Sequence, residues 1–408
     1  MMAGFYLGEA KRLLALRELD ESLASLTKAE SWTPHDPNVS FLLARIYRRQ
    51  GNMDDFASQL KRAQDLGYDQ QRVTYEGYLA LAQAGQMQKV EQHLPHMLVN
   101  ASDDGQEIFE AFVSGYFANY QFPQAMKLIE YWVNEFPLDE RPHLYVAMFH
   151  ENGQQWKQAA EKYRIALEVA PKNSEARLKL ANVLIELQKH EEAVKDLELL
   201  LQKSPDDLKT QLAWAQCKKA MGATDEARQI LTKLSQSNAD DIDVANQYGQ
   251  LEAEAGNHEE AVNWFRKVIE KKPFERSARY ALATSLRATG KSDEAKEHFE
   301  YTSASAKAHS RIQKLLDGLR TKPNDIAVRY EVGTLLLKYG DPAEAITWLR
   351  GVLEINPAHR ASHLVLLEHY KKVGNRTSEE YHRNRLQQIP NPDDAPGPAP
   401  LDAKPTKS

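Results

Sequence analysis

Residues 174–207 read SEARLKLANVLIELQKHEEAVKDLELLLQKSPDD, and this stretch decides the fold. Numbered 1–34 within itself, it places Leu180, Ala181 and Leu184 at positions 7, 8 and 11. Ala193, Leu197 and Leu200 fall at positions 20, 24 and 27. Each trio is spaced as one face of an α-helix, so the stretch predicts two helices in succession. Pro205 at position 32 marks where the second must end, because a proline ring cannot sit inside a continuing helix.

Outward from this stretch the same marks recur. Ala125, Ala159, Ala193, Ala227, Ala261 and Ala295 stand at an unbroken interval of 34 residues. Pro137, Pro171, Pro205 and Pro273 each follow one of these alanines by 12 residues, and the pair returns as Ala345 and Pro357. Such a ruler fits a chain that stacks copies of one helical hairpin. Each alanine marks a place where two helices approach too closely for a larger side chain. The pattern resembles the tetratricopeptide repeat, with small residues at positions 8 and 20, over roughly residues 3–390. The resemblance is to long arrays of the bacterial type. It implies an all-α fold, a right-handed superhelical solenoid of about eleven helix-turn-helix repeats.

The expected organisation follows the quality of the copies. Residues 106–309 form the regular array. Residues 1–105 hold degenerate copies, in which Phe56 and Val90 replace the small residue at position 20 and predict looser or shifted hairpins. From Ala295 to Ala345 is 50 residues, one unit plus 16. The extra segment, 310–325, carries Ile312, Leu315, Leu316 and Leu319 on one helical face, and reads as a helical joint prolonging the helix before it and stopped near Pro323. Residues 326–390 hold a further repeat and a capping repeat, where Glu379 and Arg383 take positions 20 and 24 and solvate an uncovered face. The Pro-rich tail 391–408 has few apolar residues and is expected to be disordered.

Composition excludes several function classes. The net charge is −6, spread over 52 basic and 58 acidic residues of mixed order, which argues against nucleic acid as the main partner. The single Cys217 rules out a disulfide within the chain and a Cys-based zinc cluster. No stretch reaches ~18 consecutive apolar residues, the length that spans a bilayer. Met1–Gly8 meets Glu9, Lys11 and Arg12 too soon for a signal peptide. Long arrays of the kind this chain resembles often carry an anchor or signal segment ahead of the first repeat. The expected location is therefore cytoplasmic as the sequence stands, with membrane anchoring or export as the alternative if an upstream segment is missing.

No catalytic constellation survives a comparison with plain structure, and no cofactor is expected. Gly290-Lys291-Ser292 looks like the end of a phosphate-binding loop, but Ser285 stands where its leading glycine should be, and the site matches an inter-helix turn. His190-Glu191-Glu192 and His258-Glu259-Glu260 lack the second histidine of a zinc-protease helix. His359, His363 and His369 read as solvated histidines, and Trp132, Trp214 and Cys217 as core. Some repeat domains grip a C-terminal carboxylate with Lys and Asn. Here Asn182 fills one such slot, but Ala213, Asp243 and Gln247 fill the others. The asparagine ladder of sugar-transferring arrays is likewise missing at position 6: Tyr145, Lys179, Ala213, Gln247, Ala281.

What remains is the inner wall. In such arrays the first helix of each hairpin lines a concave groove through positions 2, 5, 6, 9, 12 and 13. Those positions are basic near the N-terminus (Arg45, Arg48, Arg49), then aromatic and apolar (Tyr75, Phe117, Tyr145, Met148), then rich in amides. Lys179, Asn182, Gln216, Asn246, Gln247 and Gln250 make up that last part, and Tyr280 and Tyr330 follow. Aromatics and Met supply adaptable burial, and amides satisfy a peptide backbone. The expected function is a non-enzymatic scaffold that binds one or more proteins through extended or helical segments in this groove. The alternative is a regulatory or substrate-recruiting subunit of a separate enzyme or envelope-assembly complex.

Overall fold

The computed structural model describes residues 2–101, 104–319, 322 and 324–390. Among these residues the chain is all helical, with no strand. The chain divides into two compact units, residues 1–142 and 143–408.

The first unit carries α1 (Met2–Ala15), α2 (Leu19–Trp32), α3 (Pro37–Gln50), α4 (Met53–Asp65) and α5 (Gln70–Gln83). A broken helix follows, α6 (Met87–Val90), a 3-10 turn at Glu91–His93 and α7 (Leu94–Val99). Then come α8 (Gly105–Ala118) and α9 (Phe122–Glu135). The break has a cause in the sequence. Pro95 has no N–H to donate and its ring meets the carbonyl four residues back, at Glu91, so the helix tightens there and restarts. Phe56, bulky where the repeat wants a small residue, is accommodated because its neighbours Ala44 and Ala80 are small.

The second unit holds all but the first two residues of α10 (Arg141–Asn152). It continues with α11 (Trp156–Val169), α12 (Ser174–Glu186), α13 (His190–Lys203), α14 (Leu208–Ala220), α15 (Thr224–Ser237), α16 (Ile242–Glu254) and α17 (His258–Lys271). The last elements are α18 (Arg276–Ala288), α19 (Ser292–Leu319), α20 (Ile326–Tyr339), α21 (Pro342–Ile355), α22 (Arg360–Val373) and α23 (Arg376–Gln388). Taken in order, the described helices make eleven hairpins, one of them with the broken second helix.

Each mark read from the sequence has a physical role. The seven metred alanines are at most 1% exposed, at the crossings where hairpins nest. The second helices α9, α11, α13, α17 and α21 each end two residues before their proline. At Gly333, position 8 of its repeat, a Cβ would stand 2.8 Å from Leu349 Cγ, so even alanine is too large there.

Two further rulers appear in the structure. Asn173, Asp207 and Asp241, spaced like the alanines, cap α12, α14 and α16 by accepting from Ala176 N (2.9 Å), Thr210 N (2.9 Å) and Val244 N (3.0 Å). The turns inside six consecutive hairpins, α8–α9 to α18–α19, use left-handed backbone at Tyr120, Gln154, Gln188, Gly222, Gly256 and Gly290, again at the repeat interval.

α19 is 28 residues long, twice the 14 of α17. Its added length buries Ile312, Leu315 and Leu319 and half-buries Leu316. Pro323, expected to stop it, and the tail 391–408, expected to be disordered, lie outside the described residues.

Candidate partner-binding site

The amide-rich part of the expected groove is assembled by three first helices of the second unit, α12, α14 and α16, which neighbour one another. The caps at Asn173, Asp207 and Asp241 start these helices in the same register, so equivalent positions line up across the wall. Two adjoining clefts result. One, of ≈ 420 Å³, lies between the ends of α12, α14 and α16 and includes Gln216, Asn246, Gln247, Gln250, Lys219 and His190. The other, of ≈ 320 Å³, includes Lys179, Asn182, Gln216, Asn246 and Gln247 above Leu178 and Leu212. Gln216, Asn246 and Gln247 belong to both. Six residues singled out from the sequence are therefore brought together here: Lys179, Asn182, Gln216, Asn246, Gln247 and Gln250.

Their hydrogen-bonding state is the informative part. Asn246 Oδ1 is buried without a hydrogen-bond partner among the described residues. His190 Nδ1, beside the first cleft, is buried in the same way, but so is His258 Nδ1 at the equivalent slot of another repeat, so that feature belongs to the repeat and not to the cleft. Lys179 stands 3.7 Å from Glu151 in a partly exposed pair. The rim mixes Glu175 and Asp243 with Lys179 and Lys209, so the wall has no strong sign.

The other expected residues do not line these two clefts. Tyr145 is half-buried and Met148 exposed on α10. Tyr280 is exposed and packs its edge on Phe299 (5.6 Å between centroids). Tyr330 is half-buried against His359 (5.2 Å). In the first unit Tyr75 shares a 2.7 Å hydrogen bond with His96 Nδ1, and Phe117 is tilted on Phe122 (5.9 Å).

The basic end requires a correction. Arg45 and Arg48 are buried, and Arg49 is largely so. Arg45 pairs with Asp104 (2.9 Å) and Glu76 (3.5 Å), Arg48 with Glu76 and Glu107 (3.3 Å), and Arg49 with Glu107. Arg17 and Arg141 extend the network to Glu110, the latter at 2.8 Å. These arginines are neutralised by carboxylates of their own unit and offer no free positive surface. Burial alone would raise the Glu107 carboxyl; the guanidinium groups of Arg49, Arg48, Arg45 and Arg17 outweigh it and hold it at about 2. A reading of inner-wall positions alone misses this, because the carboxylates lie on other repeats, 28 to 59 residues away.

A third groove, of ≈ 830 Å³, was not singled out from the sequence. Leu337 of α20 and Leu364 and Val365 of α22 line it, with Lys371 and Lys372 beside them. Positions 5, 6, 12 and 13 of residues 360–390 carry the signal, since a capping repeat still has an inner face on its first helix. His363 also departs from expectation: it is 1% exposed and faces His382 in the core. Trp132 is fully buried and Trp214 is half-buried under Lys218. Cys217 is buried, and burial pushes its thiol up to about 11, so it is an inert packing residue. No group of three or more His, Cys, Asp or Glu among the described residues is arranged to hold a metal ion. No described helix is long and apolar enough to cross a membrane.

Three family models, each described as a tetratricopeptide repeat, match the chain. One covers residues 7–69, 150–207 and 280–360, the second 184–251 and the third 242–274. The chain belongs to the tetratricopeptide repeat family. Tetratricopeptide repeat proteins are generally non-catalytic scaffolds. The chain is a repeat scaffold. No curated protein matches it. Among solved structures it is similar to the human IFIT1 dimer with PPP-AAAA, at 17% identity over 87% of this chain and 90% of that one, with a TM-score of 0.43. It is also similar to TTC0263, a thermophilic tetratricopeptide repeat protein of Thermus thermophilus, at 19% identity over 48% of this chain and 99% of that one, with a TM-score of 0.36. A third is the MamA protein, at 18% identity over 40% of this chain and 88% of that one, with a TM-score of 0.31.

Proposed function

We propose that this tetratricopeptide repeat protein holds an extended peptide segment of a partner protein against the wall formed by α12, α14 and α16. The observation that carries the reading is the buried, unpartnered Oδ1 of Asn246 among the amides of Gln216, Gln247 and Gln250. A buried acceptor without a donor costs about 1–3 kcal/mol. A peptide backbone supplies N–H and C=O groups at regular intervals, and an amide can meet either. Leu178 and Leu212 offer a floor for one or two apolar side chains. The mixed rim of Glu175, Asp243, Lys179 and Lys209 selects against a highly charged ligand of either sign.

A photo-crosslinking residue at Gln216 tests this against the same residue at exposed Leu199 on α13. The Gln216 probe should capture a protein that the Leu199 probe does not. Asn246→Ala with Gln247→Ala should then weaken binding of that captured partner about tenfold, the loss of two modest hydrogen bonds. Equal capture from both positions, or full affinity in the double variant, would remove this wall as the binding site.

A further inference from the structure

Position 4 of the first helix meets position 23 of the second across several repeats of the second unit. In residues 174–207 the pair is Arg177 and Asp196, 2.8 Å apart. In residues 276–309 it is Arg279 and His298, at 3.1 Å. In residues 326–359 Arg329 stacks over Trp348, 5.6 Å from the ring centroid. In the last repeat the same slot holds two histidines: His363 Nδ1 and His382 Nδ1 are 2.8 Å apart. Arginine keeps its charge at every accessible pH, whereas imidazole does not.

The surroundings fix how this pair is protonated. His363 Nε2 donates to the carbonyl of Pro357 at 3.1 Å, so its Nδ1 is bare and accepts from the Nδ1–H of His382. One proton on each ring satisfies the contact. A second proton on His363 sets N–H against N–H, and a second on His382 creates a buried imidazolium. His363 is 1% and His382 5% exposed. The groups facing them offer no anion. From α21 comes Arg350, which donates to Tyr370 Oη at 3.1 Å. His359, the N-cap of α22, and Tyr370 of α22 follow, the Tyr370 ring stacked on His382 at 5.6 Å. From α23 come Tyr381 and Arg385, the latter donating to the Pro357 carbonyl at 3.3 Å. Of the two carboxylates on α23, Glu379 is paired with Arg383 and Glu380 is exposed to solvent.

We propose that the His363–His382 pair is an acid-sensitive latch, whose protonation frees the α22–α23 hairpin and so takes away the α22 wall of the groove lined by Leu337, Leu364 and Val365. Burial first, then His363 and Arg350, push His382 down to about 4. Burial also lowers His363, with Arg385 adding to it and the Pro357 carbonyl opposing. Histidines lowered on folding contribute stability that is full above the unfolded value near 6.5 and lost as pH falls toward the folded value. The latch therefore holds at pH 7 and releases between pH 6.5 and about 4.

Hydrogen exchange of the full chain, corrected for the intrinsic rate at each pH, reads this directly. Opening of α22–α23 should rise roughly 20-fold from pH 7 to pH 5 for one such histidine, while α12–α15 change little. His363→Arg with His382→Asp, which installs the Arg177–Asp196 pair in the same slot, should abolish the rise. His382→Phe should reduce the rise to the share left by His363, without needing a new ion pair. Unchanged protection of α22–α23 in the native protein at pH 5 overturns the proposal whatever the variants do, and so does an undiminished rise in both variants.

Discussion

Arg177 donates from Nη2 to the carbonyl oxygen of Pro171, six residues earlier, at 2.7 Å. The contact repeats: Gln211 bonds Pro205, Arg279 bonds Pro273 and His363 bonds Pro357. The proline stops a second helix, and the side chain at position 4 of the next first helix ties down the carbonyl left at the stop. One residue thus links consecutive hairpins and sets the entry angle of the next helix.

Arg177→Leu should destabilise the protein more than Gln211→Leu. The first removes a charged donor that also holds Asp196 at 2.8 Å, in a pair about one-fifth exposed on each side. Hydrogen bonds to charged groups are worth about 1.5–3 kcal/mol and neutral ones about 0.5–1.5. Urea midpoints for the two variants check the order. Equal midpoints would show that the charge of Arg177 and its contact with Asp196 add nothing beyond a neutral donor.

The turns inside the hairpins give a second test. Gln188 holds left-handed backbone at φ 61, where the equivalent residue in a later repeat is Gly256 at φ 83. This conformation costs a residue with a side chain about 1–2 kcal/mol, which glycine avoids at some entropic cost in the unfolded chain. Gln188→Gly should therefore stabilise by up to about 1 kcal/mol, and Gly256→Ala should destabilise by about 1 kcal/mol. A Cβ at Gly256 would meet nothing within 4 Å, so the effect is backbone strain and not collision. Thermal melting of both variants would contradict the assignment if the two shifts had the same sign.

The hairpins were legible because their marks are local. Alanine at a crossing and proline at a stop depend on the residue and its spacing alone, and α9, α11, α13, α17 and α21 end where the prolines say. The amide wall was legible for the same reason, since Lys179, Asn182, Gln216 and Asn246 follow from helical register. Partners across repeats were not. The sequence shows Arg45, Arg48 and Arg49 as an exposed basic stripe, because nothing local tells that Glu76, Asp104 and Glu107 fold back onto it. His363 was read as solvated for a like reason: its partner His382 lies 19 residues away on the next helix. The N-cap ruler of Asn173, Asp207 and Asp241 was available and is as regular as the alanines.

The ion network of the first unit predicts a distinct response to acid. Glu107 is lowered to about 2 in the folded unit against an ordinary value of 4.5. A carboxylate lowered on folding adds stability above its unfolded value, lost as pH falls through the folded one. Its contribution is thus complete above about pH 4.5 and disappears toward pH 2. Glu107→Gln leaves Arg48 and Arg49, with side chains 1% and 12% exposed, short of a counter-charge. Removing one partner of a buried pair costs about 3–5 kcal/mol at neutral pH. Hydrogen exchange in α8 should show the variant weakened at pH 7 and the gap to the native protein closing between pH 4.5 and 2. A gap that stays constant across that range would mean that the four guanidinium groups do not hold Glu107 as the geometry says, and that the network is packing with charge incidental to it.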